Sequence, residues 1–437
     1  MEVKYFTLED CPDKLVGKTV FVRVDTNTTL IKGQIRKNQR VIGAARTIGR
    51  IAEKGAKVIV GTHNGRTGDV SFVTLGQLID QLSSPIVGQI KYIGNTYDMK
   101  RDTLNDEAIK EIHSLSNGEA LLLENLRFLD GETKNLSPEE HGKTSFIRTL
   151  IDDCGVQYFF NDAFSTSHRS HRSIVGFQEL PNIAGLVMDS ELSSVNEILE
   201  HLNNHHNGRL NVYVLGGVKI QDYFDLVENS LKDGKVDKVL TGGIFANLCL
   251  FVAGHDLGQE NMKRLTKNDS KGKSIWDFAD RAKKLLADYP DAFELPIDVA
   301  IEQDGRRVDR KIEEFTPELG NNHAVLDIGR ETTMRYSKII RRAQMVFVKG
   351  PVGFFESDNF NYGSREILNT LTTTNAYSVM GGGDTSVMLS EFRVNRNEIS
   401  YISLAGGALL DFLAGKTLPG VESLQRNYRR YEGILPS

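Results

Sequence analysis

The sequence predicts an α/β protein built from two doubly wound parallel-sheet domains, and three observations point there. Short apolar runs alternate with longer amphipathic stretches along the whole chain, the pattern of parallel strands covered by helices on both faces. The residues that follow the strands change character half-way, from Arg, His, Asp and Asn to glycines. The length of 437 residues is two or three times that of one ordinary domain, so each domain can bury its own core.

The first-half strands are expected over 18–25 (KTVFVRVD), 56–63 (AKVIVGTH), 120–125 (ALLLEN) and 156–162 (VQYFFND), with a helix over 41–54 after the first. The second series covers 210–217 (LNVYVLGG), 238–243, 294–299, 345–350 and 377–383 (YSVMGGG). Between the two series, 189–204 places Leu192, Val195, Leu199 and Leu202 at helical spacing. That is the expected connecting helix, although a surface helix of either domain would carry the same pattern. The expected organisation is a first domain over 1–186, a connecting helix over 187–205, a second domain over 206–420 and a C-terminal segment over 421–437. Two polar stretches, 258–274 and 303–322, read as loops or exposed decoration.

Composition excludes several classes of function. Lys plus Arg is 53 against 58 Asp plus Glu, a formal charge of −5, where duplex nucleic-acid binders usually carry a basic surplus. No apolar stretch approaches the 18 or so residues a membrane helix needs, and the mean hydropathy is −0.30. The start, MEVKYFTLEDCP, has no basic segment leading into an apolar run, so no signal peptide is expected. Cys11, Cys154 and Cys249 lie far apart, which gives no disulfide framework and no paired-cysteine metal site. A cytoplasmic protein without nucleic-acid or membrane partners is expected.

Ligands of open α/β sheets bind beyond the carboxyl ends of the strands. There the first half places Arg23, Asp25 and Asn27, then His63 and Arg66, then Arg127, then Arg169 and Arg172. Arginine forks match carboxylate and phosphate oxygens. One such arginine would be a solvated charge, but four successive strand ends repeating the feature point to an anion held by side chains. In the second half Gly381, Gly382, Gly383, Asp384 and Thr385 close a strand and open a helix. This suits phosphate at a helix start, with Asp384 as an oxygen ligand for Mg²⁺. Lys219 after a Gly-Gly pair could reach a phosphate, and Glu356 after 350–353 (GPVG) could accept from ribose hydroxyls. Gly415-Lys416-Thr417 lacks the rest of a P-loop. His168 and His171 have no third ligand in the pattern, and no serine nucleophile elbow is present.

These residues together resemble the phosphoglycerate kinase family. FVRVDTN, NQRVIGAARTI, THNGR, LLLENLRF, FFNDAFSTSHRSH, VLGGVKI, GPVGFFE, MGGGDTS and GKTLPGV occur in the family's order over nearly the whole chain. The resemblance implies two Rossmann-like domains facing across a cleft, joined by a helix and hinge, with a C-terminal segment returning to the first domain. It implies transfer of a phosphoryl group between 1,3-bisphosphoglycerate and ADP, giving 3-phosphoglycerate and ATP, in a monomer that uses Mg²⁺. The acid site falls on Arg23, Asp25, Asn27, His63, Arg66, Arg127 and Arg169, and on Arg40, which no strand end marks. The nucleotide site falls on Lys219, Gly243, Glu356, Gly382, Gly383, Asp384 and Thr385. Arg40, Lys219, Gly382 and Gly406 are the implied catalytic set, acting in line after hinge closure. Three departures stand out: Tyr223 where a second lysine is usual, Lys349 where an asparagine is usual, and Leu404 and Ala405 in a turn usually rich in glycine. They leave two alternatives open, a kinase of another small phospho-acid and a non-catalytic nucleotide-binding descendant.

Overall fold

A computed structural model describes residues 3–11, 15–28, 30–83, 88, 90–204, 208–269 and 272–434, with the backbone alone at 222, 383, 384 and 386. The chain divides into two compact units, Met1–Asn196 with Thr417–Ser437, and Glu197–Lys416. Each is organised around a six-stranded sheet in which every pairing is parallel.

In the first unit the spatial order is Asn182–Ala184, Val156–Asp162, Thr19–Val24, Lys57–Gly61, Ala120–Leu122, Lys91–Tyr92. Strand alternation explains why these segments are apolar on both faces. Val20, Val22, Val24, Val58 and Val60 pack with Val41, Ile48 and Ile51 of the helix Gln39–Glu53. Phe21, Ile59, Leu121 and Phe159 point to the opposite core. Burial of each such side chain contributes about 1.5–3 kcal/mol. The helix starts at Asn38, whose Oδ1 accepts from the amides of Arg40 at 2.9 Å and Val41 at 3.1 Å.

In the second unit the order is Phe293–Glu294, Lys238–Thr241, Leu210–Leu215, Ala343–Lys349, Tyr377–Gly381, Tyr401–Ser403. Register aligns Thr241, Leu215, Lys349, Gly381 and Ser403 across the sheet, so five carboxyl ends form one row. In both sheets the first strand in sequence lies inside, with later strands added on either side. That reversal is the switch point where doubly wound sheets bind ligands.

Two expectations are corrected. The single strand expected over 294–299 is two: Phe293–Glu294 closes the parallel sheet, and Asp298–Gln303 opens a separate antiparallel sheet with Arg306–Lys311 and Val325–Ile328. Pro296 between them has no amide to donate to a ladder. The polar stretches 258–274 and 303–322 are not loops throughout. They contain the helices Gly258–Thr266 and Pro317–Asn322 and the strand Arg306–Lys311, pinned by a small apolar cluster around Leu257, Ile312 and Phe315.

The helix Leu186–Asn203 spans the boundary between the units. Its first turn is held by Asp162, whose Oδ1 accepts from the amides of Val187 at 2.8 Å and Met188 at 3.2 Å. The helix Pro419–Tyr431 belongs to the first unit. There Asn427 accepts from the Asn182 amide at 2.8 Å and donates to the Leu180 carbonyl at 2.7 Å. Among the described residues no helix is long and apolar enough to cross a membrane.

Candidate active site

The first unit gathers cations at its strand ends. Arg40, in the first turn of its helix, lies 3.0 Å from Asp25 Oδ2 and donates to the Asn27 carbonyl at 3.0 Å. Asp25 also accepts from the Ser165 hydroxyl and the Asn27 amide. Asn27 Oδ1 accepts from the Gly65 amide at 2.9 Å. At Gly65, with φ +70°, a Cβ would lie 2.3 Å from the Phe72 nitrogen, so the turn that carries Arg66 requires glycine. Arg127 donates to the Gly65 carbonyl, and its Nε is buried with no hydrogen-bond partner among the described residues. Arg169 donates from Nε to His168 at 2.9 Å.

The electrostatics are those of a site short of negative charge. Burial, and then the charges of Arg23, Arg169 and Arg66, bring the Arg127 guanidinium down to about 10. Arg169 is lowered by burial and by Arg66. His63 is held well below its ordinary value by burial, then by Arg23 and Arg127. It is therefore neutral, and its Nδ1 accepts from Arg23 Nη2 at 2.9 Å. An anion placed among these groups would relieve all of them.

Arg23 itself is fully buried. It donates to Ser173 at 2.8 Å, to His63 and to the Val24 carbonyl. Ser173 in turn donates from its hydroxyl at 2.6 Å and its amide at 3.1 Å to the buried Glu132. Arg23 thus lies behind His63, in a buried network. Arg172 is also buried, 2.6 Å from Asp102 and over the Phe146 ring. Sequence reasoning missed Ser165, Glu132 and Ser173; among strand-end and loop residues, single hydroxyls and a lone carboxylate gave no signal.

The second unit offers backbone and a cavity. The turns lock into one another: the Gly217 amide donates to the Pro351 carbonyl at 2.7 Å and the Gly243 amide to the Val352 carbonyl at 2.8 Å. A Cβ at Gly216 would sit 2.1 Å from the Pro351 oxygen. Beside them is a cavity of about 700 Å³, lined in part by Gly217, Gly243, Ile244, Val299 and Glu356. Gly382, at φ +112°, caps the helix Gly383–Glu391, and Gly406 caps Gly407–Leu413. A Cβ on Gly406 would stand 3.6 Å from the Gly382 Cα, so these two turns are neighbours. The Thr385 hydroxyl is buried and donates to the Gly381 carbonyl at 3.1 Å. Lys219 is exposed at its strand end. The Asp384 side chain lies outside the described atoms.

Two units with such strand-end sites, one cationic and one rich in glycine turns, match one family along the chain. Residues 8–416 fit the family model described as phosphoglycerate kinase. The chain belongs to the phosphoglycerate kinase family. It is 36% identical over 427 residues to the phosphoglycerate kinase of Methanothermobacter thermautotrophicus, covering 97% of both chains. It is 35% identical to that of Pyrococcus furiosus, covering 96% of this chain and 97% of the relative. The crystal structure of phosphoglycerate kinase from Pyrococcus horikoshii OT3 superposes with a TM-score of 0.83 at 33% identity, covering 97% of this chain and all of that one. That from Coxiella burnetii gives 0.74 at 28% identity, covering 97% and 99%. As a phosphoglycerate kinase the chain is a phosphotransferase with a carboxyl group as acceptor. These relatives give no support to a non-catalytic descendant or to a kinase of another acid.

The departures from the usual phosphoglycerate kinase pattern have a visible geometry. Tyr223 is buried, its hydroxyl 3.3 Å from the Gly216 carbonyl and its ring edge-on to Phe245. It braces the Gly216 turn. Lys349 ends its strand beside Gly381, and its ammonium lies over Gly382: a Cβ there would be 2.6 Å from Nζ.

Among the described residues no three His, Cys, Asp or Glu side chains form a metal site. Mg²⁺ bound to nucleotide phosphates needs only one or two protein carboxylates, the rest being phosphate and water. Asp384 is the second residue of the helix Gly383–Glu391, so the sequence puts one carboxylate-bearing residue in a helix's first turn, which is compatible with a metal that arrives with its nucleotide.

Proposed function

We propose that the first unit binds 3-phosphoglycerate and 1,3-bisphosphoglycerate through Asp25, Asn27, Arg40, His63, Arg66, Arg127 and Arg169. Arg23 has a positioning role: it fixes the tautomer of His63, so that Nε2–H is left to donate. The second unit would take Mg-ADP or Mg-ATP on Lys219, Gly243, Glu356, Gly382, Gly383, Asp384 and Thr385. The observation that supports this best is the crowding of Arg127 and Arg169 by Arg66 and by each other, beside a neutral His63, which an anionic ligand would relieve.

The attacking atom is an oxygen of the acid's carboxylate or of the ADP β-phosphate, and either is already anionic. No proton has to be removed, so positioning and charge stabilisation of an in-line transfer suffice. Arg40, steadied by Asp25, would face the transferring phosphoryl from the acid side. Lys219 and the helix-start amides near Gly382 and Gly406 would share the charge from the nucleotide side. Mg²⁺, held through Asp384, would neutralise phosphate oxygens when bound. Because the two ligands must meet, a closing movement is part of the reading, and it would also keep water from the acyl phosphate. A cytoplasmic monomer without nucleic-acid or membrane partners completes it.

The test is turnover with ATP, Mg²⁺ and 3-phosphoglycerate, the acyl phosphate being trapped by hydroxylamine. Hydroxamate should form with the metal and not without it. Binding of both ligands with no trapped product would overturn the proposal.

A further inference from the structure

The buried network behind His63 has an acid at its far end that the transfer reaction does not use. Glu132 lies in the short helix Asp130–Thr133 and is 1% exposed. A carboxylate so buried is costly unless its lone pairs and its charge are both answered. Ser173 answers the lone pairs, donating its hydroxyl to Oε1 at 2.6 Å and its amide to Oε2 at 3.1 Å. His171 Nδ1 stands 3.8 Å from Oε1, but burial and then Arg23 push that imidazole down to about 2, so it is neutral. Arg23 answers the charge. Burial lowers its guanidinium, and Glu132, ahead of Asp25, raises it again. An acid beneath a site that collects anions would only weaken binding unless it served that site through its neighbours.

Donor directions fix how these groups act together. Arg23 Nε can only donate, so at 2.8 Å the Ser173 oxygen accepts from it and the hydroxyl proton points to Glu132. The same guanidinium gives one Nη1 proton to the Val24 carbonyl and Nη2 to His63 Nδ1 at 2.9 Å. We infer that Glu132 is a positioning residue for the acid: through Ser173 it holds Arg23 in the orientation that keeps His63 in its Nε2–H tautomer. This rests on the reading of His63 as a ligand of 3-phosphoglycerate and extends it inward by two residues. The plainer alternative is a cap, in which Oε2 on the Ser173 amide steadies the four-residue helix Arg172–Val175. The cap needs the amide alone, whereas the relay needs the hydroxyl.

The experiment is calorimetric titration of the whole chain with 3-phosphoglycerate and with ADP, with the imidazole nitrogen resonances of His63 read alongside. Ser173→Ala keeps the amide and both charges and removes only the hydroxyl. Glu132→Gln keeps the shape and removes the charge. Each should weaken 3-phosphoglycerate by about tenfold, the worth of one hydrogen bond, and ADP by less than about twofold. On a His63→Ala background either change should add less than about twofold, because the relay has nothing left to orient. The two His63 nitrogens should resonate far apart in wild type, as one fixed tautomer requires, and draw together in both variants. Unchanged 3-phosphoglycerate affinity in Ser173→Ala, or the full loss repeated on the His63→Ala background, overturns the inference and leaves Glu132 a cap. A wild-type nitrogen pattern in Ser173→Ala overturns it too. Should Glu132→Gln not fold, Ser173→Ala decides alone. If His63→Ala itself leaves 3-phosphoglycerate affinity unchanged, the acid-site reading fails and takes the inference with it.

Discussion

Arg40 and Asp25 form an ion pair at 3.0 Å in which the carboxylate is buried and the guanidinium is partly open to solvent. The same Nη1 also donates to the Asn27 carbonyl, so two bonds fix the arginine before any substrate arrives. A cation fixed in advance costs no reorganisation when charge develops. Arg40→Ala should therefore lower kcat by about 100-fold or more, with a smaller change in KM for the acid. Asp25→Asn should show a weaker form of the same defect. Steady-state kinetics with 3-phosphoglycerate check this, and a pure KM effect would show that Arg40 only binds the ground state.

Gly382 and Gly407 separate strain from sequence. Alanine at Gly382 must adopt φ +112° and displace the Lys349 ammonium, at a cost of about 1–3 kcal/mol. At Gly407, a helix-start position, a Cβ meets nothing within 4 Å. Gly382→Ala should lower both the Tm and ADP affinity, whereas Gly407→Ala should leave the Tm unchanged. Thermal unfolding with and without ADP would show it.

His63 is neutral in the folded chain because burial and two arginines oppose its charge. Its C2–H resonance should not titrate between about pH 5.5 and 8, where an ordinary histidine does. The unfolded chain binds the proton below about 6.5 and the folded chain resists it. This contribution to stability is thus present above that value and is lost as the pH falls.

Asp162 runs the other way. Burial raises its carboxyl to about 7, and its Oδ2 has no partner among the described residues. The folded chain holds a proton that the unfolded chain releases near pH 4, so this stabilisation is full below pH 4 and is lost as the pH rises to 7. Asp162→Asn cannot ionise and keeps an oxygen for the Val187 amide. Its unfolding free energy, from urea titrations, should gain on wild type from pH 5 to pH 8 by up to a few kcal/mol. A constant difference across that range would contradict the protonated state.

Local patterning exposed much of the fold. The strand Val156–Asp162 lies at the expected residues, and the other expected strands begin within two residues of expectation, because unbroken apolar runs between turns have few other solutions; the short sheet strands Lys91–Tyr92, Asn182–Ala184 and Tyr401–Ser403 were not expected. Strand order was not legible, since no local pattern says which neighbours pair. The site divided in the same way. Asp25, Arg127 and Arg169 lie beyond strands, as their spacing suggests. Arg23 faces a buried network, because alternation along a strand covered on both sides does not say which face holds the ligand.

The helix Pro419–Tyr431 has a consequence for how the chain is made. It belongs to the first unit, with Tyr428 against Phe6 at a ring distance of 4.8 Å, yet it follows every residue of the second. During synthesis the second unit emerges as one uninterrupted stretch and can fold as it appears. The first waits for residues 417–437, and until they arrive Phe6 and Asn182 lack their cover. The part of the protein translated earliest is the part completed last.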